Sequence, residues 1–145
     1  MEDTKEHIVD YLSRRKFLTL ATSNKKGEPL THPMAYINIG PTVYFSTNKK
    51  SRKVKNIEEN PNVAYSVYDE TEHLDEVRSI QMEGEASIVN NKKESQDIHK
   101  MLNKKFPTME YMPSDLDGII IKIDPKICHF SDYIKKFGER QRIEF

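Results

Sequence analysis

Apolar positions along the chain change period several times, and each change marks an element. Ile8, Tyr11, Leu12 and Arg15 recur at helical spacing, and Asp3 with Glu6 has capping-box spacing, which predicts a helix over residues 3–15. Lys16 to Ser23, KFLTLATS, is rich in β-formers and ends in the polar turn NKKG, where Gly27 supplies positive φ. PLTHPMAYIN predicts a second strand, with Pro33 marking an edge, a bulge or an opening in the ladder. After the turn at residues 39–42, VYFSTN predicts a third. Short turns join the three, so they read as an antiparallel meander.

Beyond Asn48 the period lengthens. Val54 and Ile57 fall at helical spacing, Ser51 suits an N-cap, and Asn60-Pro61 stops the helix. NVAYSVYD is a strand, ETEHLDE an acidic loop, and VRSIQMEGEASIVN a long strand in which Gly84 predicts a bend or bulge. A helix over residues 93–106 presents Ile98, Met101 and Leu102. A loop with Pro107 and Pro113 leads to GIIIKIDPKICHFSD, read as two strand pieces broken at Asp124-Pro125. The tail from Tyr133, YIKKFGERQRIEF, follows no clear period. About six mostly antiparallel strands with two or three short helices predict a mainly β fold, a barrel with helices over its ends or seams.

The length of 145 residues suits one domain, 1–145, without repeats or a linker. Charged residues make up 32% of the chain, yet the apolar residues are concentrated in dense runs, which excludes disorder. A formal net charge of zero supplies no global field to recruit nucleic acid or a membrane surface. No apolar run approaches membrane-spanning length and the first ten residues lack a signal-peptide stretch, so a cytoplasmic protein is expected. Cys128 is the only cysteine, which rules out an internal disulfide and a thiolate metal framework.

Candidate chemistry concentrates in Ser46 to Lys53, STNKKSRK. Hydroxyl and amide groups from Ser46, Thr47 and Asn48 are followed by Lys49, Lys50, Arg52, Lys53 and Lys55, with a helix starting near Ser51. Free N–H groups and the dipole favour anions at a helix N-terminus; Arg adds a bidentate fork and Lys a point charge. On these residues alone three readings stay open: a phosphate pocket, a solvated helix carrying lysines on its outer face, and a contact for nucleic-acid backbone. The third lacks interleaved aromatics. The five histidines are scattered without metal-ligand spacing, and only His32, beside Pro33, merits following. Cys128 reads as buried filler. There is no GxSxG elbow, no GxGxxG, no P-loop lysine and no outstanding carboxylate pair.

Taken with the strand order, YFSTNKKSRKVKNIEENPNVAYSVYD resembles the pyridoxamine-phosphate-oxidase-like family of FMN-binding split barrels. The resemblance covers nearly the whole chain, including LATSNKKGEPLTHPMAY, VRSIQMEGEASIV and HFSDYIKKFGERQRIEF. It implies a six-stranded antiparallel split β-barrel and a homodimer with FMN at the subunit interface. The implied phosphate-side residues are Ser46, Thr47, Arg52 and Lys53, with Lys50 and Ser51 close by; Lys49 and Lys55 return to solvent. Backbone of His32 through Tyr36, chiefly Pro33, Met34 and Ala35, is implied to run past the flavin ring, and Ser79 or Gln81 to reach across the interface. True oxidases close with a tryptophan-containing segment that holds the substrate phosphate; this chain has no tryptophan and ends in FGERQRIEF. The resemblance is therefore to the stress-protein and flavin-reductase-like branch.

The implied function is an FMN-dependent oxidoreductase acting on an undefined small substrate or electron acceptor. A non-catalytic flavin-binding protein using the same pocket is the alternative. A split barrel holding deazaflavin or haem, the latter through His32 or His129, is a third reading. Tyr133 and Phe137 are placed either to stack on a ring or to close a dimer core.

Overall fold

The computed structural model describes residues 4–111 and 118–145. Its strands are β1 (Phe17–Ser23), β2 (Pro29–Ala35), β3 (Ile37–Ile39), β4 (Thr42–Asn48), β5 (Asn62–Tyr68), β6 (Arg78–Ile88), β7 (Gly118–Asp132) and β8 (Arg140–Glu144). They form one antiparallel sheet in the order β2-β1-β5-β6-β7-β4-β3, with β8 added along β7. β2 and β3 stand at opposite ends of that path, yet only Tyr36 separates them in the chain. The sheet therefore has to curl until its two ends meet, which makes it a split barrel.

Three sequence expectations change here. The expected six strands become eight, because the second strand divides at Tyr36 and the unassigned tail pairs as β8. The expected meander also opens at that residue: β2 pairs back on β1, whereas β3 pairs forward with β4. Asp124-Pro125 does not break β7, because a register shift there leaves Lys126 as the extra residue opposite Glu83-Gly84. Of the expected loop with Pro107 and Pro113, Pro107–Tyr111 forms a 3-10 helix, while residues 112–117 and Asp3 of the expected capping box lie outside the described residues.

The core follows from strand alternation. Leu18 and Leu20 of β1, Val43 and Phe45 of β4, Ile80 and Met82 of β6, and Ile121 of β7 share one buried cluster. Each such side chain contributes about 1.5–3 kcal/mol by leaving water. The helix α1 (Thr4–Ser13) adds Ile8, Tyr11 and Leu12 to it, and α2 (Arg52–Glu59) adds Val54 and Ile57. The helix α3 (Lys92–Lys105) packs outside the barrel, where Ile98 and Leu102 meet Ile37, Tyr44 and Ile120. Met101, expected beside them, faces outward instead. Cys128 is buried, as expected for filler. No described helix is long and apolar enough to cross a membrane.

Two local devices hold the barrel in shape. At Gly84 an added Cβ would lie 2.5 Å from the Asp124 carbonyl oxygen and 2.8 Å from Ile123 Cγ2. Only glycine lets the bulged strands approach this closely. Asp69, just beyond β5, gathers Arg15, Arg78 and Tyr11: Arg15 Nη2 and Arg78 Nε each donate at 2.9 Å, and the Tyr11 hydroxyl at 3.0 Å. Burial pushes the Asp69 carboxyl up, but bonds from Arg15 and Tyr11 and the two guanidinium charges outweigh it and hold the group below its ordinary value.

Replacing Gly84 by Ala is expected to cost about 1–3 kcal/mol in chemical denaturation, because backbone must move to admit the methyl group. Asp69→Ala is expected to cost about 2 kcal/mol at neutral pH, a value reduced for the partial exposure of the cluster. Because the folded-state pKa is depressed, this stabilisation is present above the ordinary carboxylate value and is lost as pH falls below it. Thermal melts against pH should therefore show a steeper acid decline for wild type than for the variant.

Candidate functional site

The junction between β4 and α2 is built by local hydrogen bonds. Asn48 accepts from Ser51 N at 3.0 Å through its carbonyl and from Lys50 N at 2.8 Å through Oδ1, turning the chain sharply. Ser51 takes the N-cap position with φ −67° and ψ 155°, but its side chain makes no capping bond. Its hydroxyl is buried and without a hydrogen-bond partner. The first turn of α2 therefore keeps N–H groups that no side chain has claimed.

Lys53, in that first turn, points inward and is only 9% exposed. Its ammonium donates to Thr47 Oγ1 at 3.1 Å and forms no ion pair among the described residues. Burial lowers its pKa. A largely dehydrated cation bonded to one neutral hydroxyl is an arrangement that an anion would complete.

His32 lies near enough to feel the charge of Lys53. It lies on β2 opposite Leu20, in the alternation that sends Met34 onto the core, and Asn56 of α2 bonds Thr22 one strand away at 3.1 Å. Its Nδ1 is buried without a partner. Burial and then the charges of Lys53 and Arg52 lower the pKa of the imidazole. An unpartnered hydroxyl, a buried lysine and an exposed Arg52 thus share one helix end, and the unpartnered His32 nitrogen lies within reach of their charges. Arg52 also borders a cleft of about 490 Å³ between α2 and the β1–β2 turn, where Lys25, Lys26 and Lys55 alternate with the carboxylates of Glu28 and Glu59.

The predicted residues divide between places. Ser51, Arg52 and Lys53 lie at the head of α2, Lys50 in the turn before it, and Thr47 within bonding distance of Lys53. Ser46 alternates with Thr47, so its side chain takes the opposite face, the one that carries Tyr44 toward α3. On β2, Met34 packs inward while Pro33 and Ala35 take the outer face. Tyr36 N bonds Lys16 O at 3.2 Å, so even-numbered residues of β2 bond toward β1. The main-chain groups of Thr31 and Ala35, and the carbonyl of Pro33, therefore point to the open edge of the sheet. Ser79 and Gln81 pair with Ser131 and His129 at the far end of β6, and Gln81 accepts from Arg140 Nη1 at 3.2 Å. One chain does not bring them to α2.

No group of three or more His, Cys, Asp or Glu among the described residues is placed to hold a metal ion. Burial pushes the Cys128 thiol up to about 12, so it is no thiolate nucleophile. Tyr133 and Phe137 stack edge-to-face on each other at 5.4 Å. Sequence reasoning took His32 for its backbone beside the ring, or as a haem ligand, and did not direct its side chain toward α2. Its alternation with Leu30 and Met34 was the available signal, and the partner across the fold was not.

The sequence profile described as pyridoxamine 5'-phosphate oxidase matches residues 4–131. General stress protein 26 of Bacillus subtilis (strain 168) is 30% identical over 125 residues, covering 86% of each chain. Among solved structures, a haem storage protein from Vibrio cholerae superposes with a TM-score of 0.72 at 17% identity, over 83% of this chain and 89% of that one. A FAD-binding protein from Mesorhizobium loti gives 0.70 at 18%, over 85% and 90%. At those identities the two structures establish the shared fold.

Lys53→Met keeps the length of the side chain and removes the dehydrated charge. The ligand-free variant is expected to melt at or above the wild-type temperature, since an apolar replacement of a poorly compensated buried ion is neutral or stabilising. A clearly lower melting temperature would mean that Lys53 serves the fold.

Proposed function

This chain belongs to the pyridoxamine 5'-phosphate oxidase family, and we propose that it binds FMN with the phosphate at the head of α2. In this reading the flavin lies between two copies of the chain in the cytoplasm, and the protein is an oxidoreductase acting on a small substrate or electron acceptor. One observation supports it: Lys53 is buried with a single bond, to the Thr47 hydroxyl, at the helix end where the Ser51 hydroxyl has no partner, a set of donors that suits an anion. That donor set fits a phosphate monoester.

Each residue then has a physical task. Arg52 and Lys53 balance the phosphate charge, and the Thr47 and Ser51 hydroxyls with the first N–H groups of α2 supply directional bonds. Lys50 lies in the turn before them. The open edge of β2 offers main-chain groups of Thr31, Pro33 and Ala35 to the polar rim of a planar ring, with Met34 anchoring the strand from the core side. Ser79 and Gln81 of a second copy approach the ring from across the interface. When bound, FMN supplies the electron chemistry through its isoalloxazine. Phe17 and Tyr68, 60% and 64% exposed, share the outer sheet face with Thr19, Ala21, Ala64 and Ser66. A second copy covering that face removes their apolar area from water.

Titrating the ligand-free protein with FMN is expected to quench flavin fluorescence and saturate at two FMN per dimer. Arg52→Ala combined with Lys53→Ala should weaken binding at least about 100-fold, because each charge-assisted bond lost costs about 1.5–3 kcal/mol. Unchanged affinity in that variant, or a protein that takes up no FMN, would overturn the assignment. The absorption spectrum separates FMN from deazaflavin and haem. Reduction by NAD(P)H and reoxidation by an acceptor separate turnover from storage.

A further inference from the structure

We propose that His32 is a proton-carrying ligand of the phosphate site, so that a phosphate monoester seated at the head of α2 binds together with one proton on the imidazole. This rests on the phosphate reading above and adds to it a ligand and a linkage that no other residue of the site supplies. Arg52 and Lys53 bring fixed charges, and Ser51 and Thr47 bring neutral hydroxyls; only His32 can change its charge near neutral pH.

The geometry comes first. His32 Nδ1 is buried and lacks any hydrogen-bond partner, a state that costs free energy unless something completes it. On β1 apolar Leu20 stands directly opposite, and the charges that reach the ring are the cations Lys53 and Arg52 of α2. No acidic group contributes to its electrostatics, so nothing on the protein itself favours an imidazolium there. On the protein alone the pKa of the imidazole is lowered, first by burial and then by those two cations.

A bound phosphate monoester reverses this balance. It brings a charge of about −1.5 to −2 at neutral pH and three acceptor oxygens. Lys53 and Arg52 become partners of the anion, and a protonated His32 donates where a neutral one meets the same oxygens with a lone pair on one nitrogen. Protein, ligand and one proton from solvent then form the complex. The sign is fixed: the pKa of His32 is higher in the complex than in the free protein, so rising pH weakens binding between the two values.

The test measures FMN affinity by fluorescence quenching from about pH 5.5 to 9, the range that brackets histidine titration. Wild type, His32→Asn and His32→Arg are compared, with riboflavin, which lacks the phosphate, as a second ligand. Wild-type affinity for FMN is expected to fall by up to about tenfold per pH unit between the two pKa values, relative to His32→Asn. His32→Arg should bind tightly without that fall, and riboflavin should show no difference between wild type and His32→Asn. Ionisation of the FMN phosphate is common to all three proteins and cancels in the comparison. Should a substitution unfold the chain, the His32 ring proton followed by NMR against pH gives the same answer in wild type: its midpoint should rise when FMN is added. Parallel FMN profiles for wild type and His32→Asn, or an unmoved midpoint, overturn the proposal while leaving FMN binding intact. Failure of every folded protein to bind FMN overturns the phosphate reading as well.

Discussion

Everything in this fold depends on the closure at Tyr36. One residue has to connect two strands at opposite ends of the sheet path, and it does so fully buried. Its hydroxyl donates to Leu12 O at 2.6 Å and its N–H to Lys16 O at 3.2 Å, tying the closure to α1 and to the approach to β1. The Lys105 ammonium lies 4.3 Å from the ring centre and bonds Arg15 O, bringing the end of α3 to the same point. Closure also decides which way β2 presents its groups. With its even-numbered residues bonded to β1, the odd-numbered ones face the open edge, and His32 is aimed toward α2.

The head of α2 shows what such a scaffold permits. A buried lysine on one hydroxyl, a buried hydroxyl on nothing and a half-buried imidazole with an orphan nitrogen are each unfavourable for the fold by itself. They persist because Val54 and Ile57, one helical turn apart, anchor α2 in the main core and hold the site in place. The apolar face of the helix supplies stability, and the same helix spends part of it at its first turn. Sites that bind tightly are commonly organised this way, preorganised for a ligand at some expense to the empty fold.

Most strands were legible because their alternation and their turns agree. β1, β5 and β6 each carry buried residues at every second position between polar or glycine-bearing turns, β4 is a short apolar run buried on both faces at Val43, Tyr44 and Phe45, and α2 carries its own start and stop signals in Ser51 and Asn60-Pro61. The division at Tyr36 was not legible. An aromatic residue within a run of strand formers carries no punctuation, and only pairing with β1 and β4 reveals that the ladder changes partners there. β7 misled in the opposite sense: Asp124-Pro125 is a strong local breaker, but a proline without an N–H fits a bulge, and Gly84 opposite makes room for it. At the site, the basic run and the helix start could be read directly. Which residues faced one another could not, because Thr47 and Ser46 differ only in strand phase, and His32 comes from another strand.

Charge distribution bears on what kind of ligand suits this site. The chain is formally neutral, so the cations at the head of α2 are balanced by acidic residues elsewhere, among them the loop between β5 and β6. At physiological ionic strength such a field fades within about 8 Å. A long polyanion gains from many phosphates spread along a basic stripe, and here the basic groups at the strand–helix corner adjoin a cleft whose lysines are interrupted by Glu28 and Glu59. The buried members, Lys53 and His32, act only on a group that enters among them. A compact phosphate on a small molecule can do so, while a backbone phosphate flanked by its chain meets the rim formed by Arg52 and Lys55. In the proposed site, the same dehydration that weakens Lys53 as an isolated cation would strengthen it as a ligand, because little water competes for its protons.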